Sequence, residues 1–384
     1  MRQLDPILLE KNVDARVNGD LAEHTISGAI LEVCQQDRVL YHKRFGTMSP
    51  VTDEPMREDA LFRLASMTKP ITAIAAGILI SRGQLSVDDR VDKYLPAFHD
   101  LPIRQLNEKK KIVELGVQQT PFTVKHLLTH SSGIGCGLLF YKQIRKIPKK
   151  LNQTLASVVD YYATLPLDFD PGTAQCYSPY AAFDVLARII ELVSGMGYAE
   201  FLQKEIFDPC DMPDTTFDPT DEQRARMVIM HYKEKGRSVK VRTNKKCIFD
   251  DCPNSRTNAG AGLVSTMHDY HNFAQMLLHG GVFNGKRLVS EQYMAEMTVP
   301  QVPESIMDIH ERWGYGVRVV SKECYPSLPV GAYGWSGAYG SHFWVDPVNQ
   351  VTGIYLKNSL HDGGSEATTA HNFERDVFAS FRDE

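Results

Sequence analysis

The sequence predicts an α/β fold of the α+β type, in which an antiparallel sheet flanked by helices adjoins an all-helical subdomain. Strand-like runs occur near both ends of the chain, and the pattern between them is mainly helical. Hairpins, rather than alternating strands and helices, connect these strands, which favours antiparallel pairing. We therefore expect a discontinuous sheet domain, residues 1–100 and 300–384, with a mainly helical subdomain, residues 101–299, inserted into it.

The predicted strands are short runs of apolar and β-branched residues bounded by turn residues. Near the N-terminus, residues 29–33 and 39–41 form a predicted hairpin around the polar residues 35–37. Near the C-terminus, the strands are 317–320, 342–345 and 351–355, and Asp346-Pro347 makes the turn between the last two.

The predicted helices show apolar residues at helical spacing and have recognisable ends. The first begins at Ser66, continues through the apolar run 71–80 and ends at Gly83. The others are 123–130 with Gly133 after it, 184–193 with Gly195 after it, and a helix between the capping pair Thr266 and Asp269 and Gly280.

Composition narrows the possible partners and the cell compartment. The chain has 384 residues, of which 43% are hydrophobic, and its formal net charge of −5 argues against a nucleic-acid binder. Its 7 cysteines are scattered, which suits a reducing cytoplasm better than a disulfide framework. The N-terminus lacks the apolar core of a signal peptide, and the run 71–80 is too short to span a bilayer. We therefore expect a cytoplasmic protein without membrane or nucleic-acid partners.

Two local features invite other interpretations. Cys247 and Cys252 have a spacing found in zinc sites, but no second close pair of Cys or His follows, so no metal site is predicted. Basic residues concentrate between 233 and 246, where a solvated hairpin is expected and a polyanion site is the alternative.

Ser66 and Lys69 form the first part of a candidate active site. Residues three apart lie on nearly the same face of a helix. A serine hydroxyl needs a base to become a good nucleophile, and a lysine amine can be that base only if burial keeps it neutral. The apolar helix would provide this burial. The alternative is a chance Ser-x-x-Lys whose lysine reaches water.

Tyr177 and a glycine-rich segment form the second and third parts. Tyr177 follows a Pro-Gly turn and precedes a helix, so its phenol can share a proton with Lys69 or can simply pack. Glycines recur through residues 331–340, where backbone N–H groups could stabilise an oxyanion. Ser336 almost fits a nucleophile elbow, but Ala338 replaces the second glycine and a strand follows, so we reject it as nucleophile.

Two histidines near these segments are expected to be structural. His130 is followed by Ser131 and Ser132 at a predicted helix end, where a capping role is favoured over a Ser-His pair. His342 lies within a predicted strand.

Six segments in this order resemble the serine hydrolases related to class C β-lactamases and penicillin-binding proteins. They are FRLASMTKPITAIAAGILISRGQLSVDDRVDKYLP, TVKHLLTHSSGI, YSPYAAFDVLARIIELVSG, IFDPCDMPDTTF, AGLVSTMHDYHNFAQMLL and GWSGAYGSHFWVDP. The resemblance implies a β-lactamase/transpeptidase-like fold, with Ser66 as the acylated nucleophile, Lys69 as its base partner and Tyr177 as a second general acid/base. It also implies an oxyanion hole formed by the N–H groups of Ser66 and Ala338.

Two departures from the family pattern point to esters. Tyr177-Ser178-Pro179 stands where β-lactamases of this group usually carry Tyr-x-Asn, and Trp335-Ser336-Gly337 replaces their Lys-Thr-Gly. The lysine of that motif pairs with a substrate carboxylate, whereas an indole cannot. Tyr-Ser-x, Ser-Met-Thr-Lys-Pro and Trp-x-Gly together look most like the class VIII carboxylesterases, although members of that branch often have Gly at the place of Ser336. This resemblance implies that residues 335–338 contact the substrate.

The resulting hypothesis is a cofactor-free hydrolase that acts through an acyl-enzyme on a small-molecule ester or amide, most readily a short-chain ester. A β-lactamase or D-amino-acid peptidase, and an acyltransferase with the same Ser-Lys-Tyr site, are alternatives within the enzyme class. A catalytically inactive binding or sensor protein is the alternative outside it. The natural substrate, its chain length and the oligomeric state stay open at this point.

Overall fold

The structure, a computed structural model, describes residues 1–240, 257–307, 312–321 and 328–382. These residues contain eleven α-helices and fourteen strands. The helices are α1 (Pro6–Ala22), α2 (Thr68–Ser81), α3 (Val124–Leu128), α4 (Leu138–Ile144), α5 (Leu155–Tyr162), α6 (Ala181–Ser194), α7 (Tyr198–Leu202), α8 (Asp221–Ala225), α9 (Met267–Leu278), α10 (Glu291–Met297) and α11 (Thr368–Phe378). The strands are β1 (Gly28–Gln35), β2 (Arg38–Gly46), β3 (Phe62–Arg63), β4 (Pro102–Leu106), β5 (Ile112–Val117), β6 (His231–Glu234), β7 (Arg237–Lys240), β8 (Val264–Ser265), β9 (Val282–Phe283), β10 (Lys286–Arg287), β11 (Arg318–Val319), β12 (Tyr333–Ser336), β13 (His342–Asp346) and β14 (Val351–Leu356).

Six strands form one antiparallel sheet in the order β11-β12-β13-β14-β1-β2. The N-terminal hairpin thus pairs with the last strand of the chain, and Ile30 lies opposite Leu356. Every residue of β1 is buried because helices cover both faces of the sheet. Helices α1 and α11 cover one face, where Leu31 packs with Val13 and Phe373, and α9 packs against β13 and β14 on the other face. The predicted α+β architecture is confirmed.

The second core is helical and has α2 near its centre. Residues 68–79 of this helix are all buried. Helix α2 packs against α6, and α3 and α5 pack against α6 in turn. A mainly helical region therefore lies between the two sets of sheet strands in the sequence, as expected, while the exact domain limits stay a prediction.

Most of the predicted element ends agree with the structure. Helix α2 ends at Ser81 and Gly83 follows with φ of 69°, and α6 ends before Gly195 with φ of 71°. The helix predicted for residues 123–130 is shorter, because α3 ends at Leu128 and His130 has a left-handed φ of 58°.

Other predictions concern the basic segment, the cysteines and membrane insertion. Strands β6 and β7 form the expected hairpin as far as Lys240, whereas Cys247 and Cys252 lie outside the described residues. Within the described part of the chain, Cys34, Cys136, Cys176 and Cys210 form no disulfide bond. No helix among the described residues is both long enough and apolar enough to cross a membrane.

The contact between α2 and α10 gives a test of this packing. A Cβ at Gly77 would overlap the ring of buried Tyr293, whose hydroxyl donates to the carbonyl of Ala73. We expect Gly77→Ala to lower the free energy of unfolding by about 1–3 kcal/mol, because overpacking outweighs the better helix propensity of alanine. Urea denaturation followed by circular dichroism measures this change.

Gly19 in α1 is the matched control, since an added Cβ there meets no atom within 4 Å. Gly19→Ala should raise the free energy of unfolding by about 0.5–1 kcal/mol. Similar effects of the two substitutions would contradict the described packing of α2.

Candidate active site

Ser66 lies in the turn that connects β3 to α2. β3 pairs with β8, and the N–H of Leu64 donates to the carbonyl of Leu263. Ala65 has φ of 46°, a left-handed conformation that alanine rarely adopts. Residues 65–67 then form a single 3₁₀ turn that leads directly into α2. This strained turn leaves Ser66 only 8% exposed at the start of the helix, one turn before Lys69.

The amine of Lys69 is fully buried next to Ser66. Its Nζ lies 3.3 Å from Ser66 Oγ and donates to the carbonyls of Pro179 at 2.7 Å and Gly260 at 2.8 Å. Burial lowers the pKa of Lys69 to about 7, although the nearby carboxylate of Asp184 acts in the opposite direction. Near neutral pH a large fraction of this amine is therefore uncharged and can accept a proton.

The phenol of Tyr177 approaches Ser66 from the other side. Tyr177 Oη donates to Ser66 Oγ at 2.7 Å and accepts a hydrogen bond from Trp335 Nε1 at 3.3 Å. Lys69 Nζ lies 4.8 Å from the centroid of the Tyr177 ring. The structure thus brings Ser66, Lys69 and Tyr177 together, with the serine oxygen within hydrogen-bond distance of both other groups.

Aromatic side chains hold Tyr177 in place. Its ring centroid lies 4.6 Å from that of His130, 5.7 Å from that of Trp313 and 5.3 Å from that of Trp335. The Nδ1 atom of His130 accepts the N–H of Ser178 at 3.1 Å, and burial lowers the pKa of His130 well below its usual range. His130 also caps α3 as predicted, because its φ is 58° and the N–H of Ser131 donates to the carbonyl of His126 at 3.0 Å. In addition, its neutral ring supports the backbone and ring of Tyr177.

The glycine-rich segment lies against the turn of Ser66. Trp335 and Ser336 end β12, and a Cβ at Gly337 would overlap the carbonyl of Leu64, which also accepts a hydrogen bond from Ser341 Oγ at 3.0 Å. Gly337 and Ala338 therefore lie beside the residues that precede the serine. The oxyanion role of the Ala338 N–H group stays a prediction.

Ser336 belongs to a different hydrogen-bond network. Its Oγ lies 2.7 Å from Nδ1 of His342, whose Nε2 lies 2.9 Å from Glu374 Oε1. All three residues are buried. This network ties β12 and β13 to α11, which agrees with the structural role expected for His342 and with the rejection of Ser336 as nucleophile.

Three site residues were not identified from the sequence: Asp184, Gly260 and Trp313. Asp184 accepts the N–H of Ala259 at 2.9 Å and the hydroxyl of Tyr162 at 3.0 Å. An acidic residue within residues 181–187 of α6, which are otherwise apolar, was an available signal for Asp184. The sequence has no comparable signal for Gly260, which contributes only its carbonyl.

The geometry can be compared with known proteins. A family model described as Beta-lactamase matches residues 13–374. Protein Rv1367c of Mycobacterium tuberculosis (strain ATCC 25618 / H37Rv) is 28% identical over 361 residues, covering 90% of this chain and 89% of its own. Esterase EstB of Burkholderia gladioli is 26% identical over 406 residues, covering 95% and 94% respectively. The solved structure of EstCE1, a hydrolase with promiscuous acyltransferase activity, superposes with a TM-score of 0.79 at 20% identity, covering 97% of this chain and 99% of EstCE1.

The charge of Asp184 provides a test of the state of Lys69. Its carboxylate raises the pKa of Lys69, so Asp184→Asn should lower that pKa further. If neutral Lys69 activates Ser66, reactivity rises with pH through the pKa of Lys69, and in the variant this rise moves to lower pH. The measurement is the rate of Ser66 labelling by a fluorophosphonate as a function of pH.

Asp160→Asn is the matched control, because Asp160 is exposed on α5 and its removal changes the net charge equally. Its labelling profile should coincide with that of the wild type. A profile of Asp184→Asn that stays in place, or moves to higher pH, would contradict the role assigned to the buried amine.

Proposed function

The chain belongs to the beta-lactamase family, and we propose that it is a serine esterase that forms an acyl-enzyme on Ser66. One observation carries the proposal: Lys69 Nζ at 3.3 Å and Tyr177 Oη at 2.7 Å both reach Ser66 Oγ. A nucleophile with two proton-transfer groups within hydrogen-bond distance is the arrangement that covalent acyl transfer requires. The similarity to EstB, an esterase by name, over nearly the full length of both chains supports the same chemistry here.

Acylation begins with attack of Ser66 Oγ on the ester carbonyl carbon. The serine proton passes to the neutral amine of Lys69, and the carbonyl oxygen becomes an oxyanion. The N–H groups of Ser66 and Ala338 are proposed to stabilise this charge. The intermediate then collapses: the bond to the alcohol oxygen breaks, Tyr177 protonates the departing oxygen, and Lys69 returns a proton to Tyr177.

Deacylation repeats these steps with water as the nucleophile. A water molecule attacks the acyl carbon while the Tyr177 and Lys69 pair accepts its proton. The bond between the acyl carbon and Ser66 Oγ breaks, Ser66 is reprotonated, and the carboxylic acid leaves. The aromatic rings around Tyr177 exclude bulk water from one side of the site, which strengthens these charge interactions.

The surroundings of Trp335 support an uncharged acyl group. Trp335 takes the place of a family lysine and donates to Tyr177 Oη instead of presenting a cation. The guanidinium of Arg318 lies 5.9 Å from the Trp335 ring, but Arg318 is buried and lies 3.5 Å from the carboxylate of Glu374. Because this positive charge is already compensated, the segment around Trp335 is poorly suited to bind a substrate carboxylate. We therefore propose short-chain esters as the substrate class.

The nucleophile is tested by Ser66→Ala. We expect turnover of p-nitrophenyl butyrate to fall at least about 10³-fold, since the variant keeps binding groups but loses the attacking oxygen. Its melting temperature should change little, because the serine side chain is small. Mass spectrometry should find fluorophosphonate on Ser66 of the wild type, and Ser336→Ala should be labelled normally. Esterase activity that survives in Ser66→Ala would contradict the assignment.

The substrate class is tested by comparing kcat/KM of the wild type for p-nitrophenyl butyrate and for a chromogenic cephalosporin. We expect the ester to be preferred by about 10²-fold or more, because pairing with the lactam carboxylate is missing. A preference for the cephalosporin would instead favour a β-lactamase or peptidase. Adding a small alcohol acceptor separates the remaining alternative, since an acyltransferase would form the new ester faster than the free acid.

A further inference from the structure

Three potential metal ligands meet between the sheet and α9, on residues that the proposed esterase mechanism does not use. Glu32 and Cys34 lie on the same face of β1 because successive strand residues alternate. His271 faces them from α9. One ligand atom from each of the three side chains lies within 4.8 Å of the other two. We propose that Glu32, Cys34 and His271 bind a structural zinc ion.

The distances within this cluster approach those of a zinc site. His271 Nδ1 lies 3.7 Å from Cys34 Sγ and 2.6 Å from Glu32 Oε1, and Cys34 Sγ lies 3.9 Å from Glu32 Oε1. Tetrahedral zinc with ordinary bond lengths separates its nitrogen, oxygen and sulfur ligands by about 3.3–3.6 Å. Small side-chain adjustments therefore suffice: the Glu32–His271 contact widens and the two sulfur contacts shorten. The mixed sulfur, nitrogen and oxygen set suits zinc better than calcium or magnesium, which prefer oxygen alone.

The charges in the cluster also match a divalent ion. Glu32 and Cys34 are buried, and a carboxylate and a thiolate together neutralise Zn²⁺. Because the thiolate is the form of cysteine that binds zinc, zinc binding would release the thiol proton of Cys34 and leave a neutral metal centre.

Residues around the three ligands resemble the supporting groups of metal sites. His42 Nδ1 lies 2.8 Å from the second oxygen of Glu32, and its Nε2 lies 2.7 Å from Glu58. This chain of contacts orients the Glu32 carboxylate. Gln275 lies one turn after His271, and its buried Oε1 has no hydrogen-bond partner among the described residues. Residues four apart lie on the same face of a helix, so we assign this oxygen as the acceptor for a water molecule that completes the zinc coordination.

The location gives the zinc ion a structural role. It would link β1 to α9, and Tyr270 of α9 donates its hydroxyl to the carbonyl of Met67 at 3.0 Å. Met67 follows Ser66 directly, so α9 contacts the turn that holds the nucleophile. The side chain of His271 is 24% exposed, which gives an ion access from solvent.

The test is metal binding by the full, untagged chain after removal of metals with a chelator. We expect one equivalent of Co²⁺ to give visible bands of a tetrahedral site and a near-ultraviolet thiolate charge-transfer band. One equivalent of Zn²⁺ should displace the cobalt and raise the melting temperature, since a ligand that binds only the folded state stabilises it. Cys34→Ser and His271→Asn should each weaken zinc binding by roughly 100-fold. Cys34→Ser should also remove the thiolate charge-transfer band, and His271→Asn should change the visible bands that report the coordination geometry.

Matched controls separate this site from other cysteines and histidines. Cys210→Ser removes another buried thiol, and His279→Asn removes a histidine that pairs with Asp37 near the end of the same helix. Both variants should bind cobalt as the wild type does, as should the double variant Cys247→Ser/Cys252→Ser. The proposal is overturned if the wild type shows no thiolate–cobalt band, if Cys34→Ser and His271→Asn bind zinc normally, or if only the double variant loses binding. Should Cys34→Ser fail to fold, His271→Asn decides the outcome alone.

Discussion

The buried amine of Lys69 is the constraint on which the site depends. A charged ammonium without water is costly, so the protein must either neutralise it or surround it with acceptors. Here burial lowers its pKa to about 7, and carbonyls 110 and 191 residues away in the sequence, those of Pro179 and Gly260, accept its N–H groups. The fold must therefore bring three distant segments together to place this amine, with its hydrogen bonds satisfied, beside Ser66.

The turn around Ser66 is held by both parts of the structure. On the helical side, α2 is buried over residues 68–79, which fixes Lys69 relative to the serine. On the sheet side, Ser341 Oγ donates to the carbonyl of Leu64, and Tyr270 donates to that of Met67. The left-handed Ala65 just before Ser66 persists because contacts on both sides define the turn. The site thus lies where the sheet and the helical core meet.

On the proposed mechanism, the departures from the family motifs concern substrate recognition more than proton transfer. Pro179 contributes a backbone carbonyl to Lys69, which needs no particular side chain. Trp335 donates a hydrogen bond to Tyr177 Oη and packs on Trp313 at a centroid distance of 4.4 Å. It therefore helps to hold the phenol of Tyr177 in place. We propose that the tryptophan at this position also removes a cation from the substrate side, while the contacts of Lys69 and Tyr177 are kept.

The sequence by itself determined the fold class, most helix and strand positions, and Ser66, Lys69 and Tyr177 as candidates. Apolar periodicity and capping residues predict where a helix or strand lies and where it ends, because they act between residues close together in the chain. The Ser-x-x-Lys spacing is likewise local. Only the tertiary structure decided that His130 supports Tyr177, that Asp184 acts on Lys69, and that Glu32, Cys34 and His271 converge. These relations join residues far apart in the chain. They depend on which faces of strands and helices meet, and no local pattern encodes that.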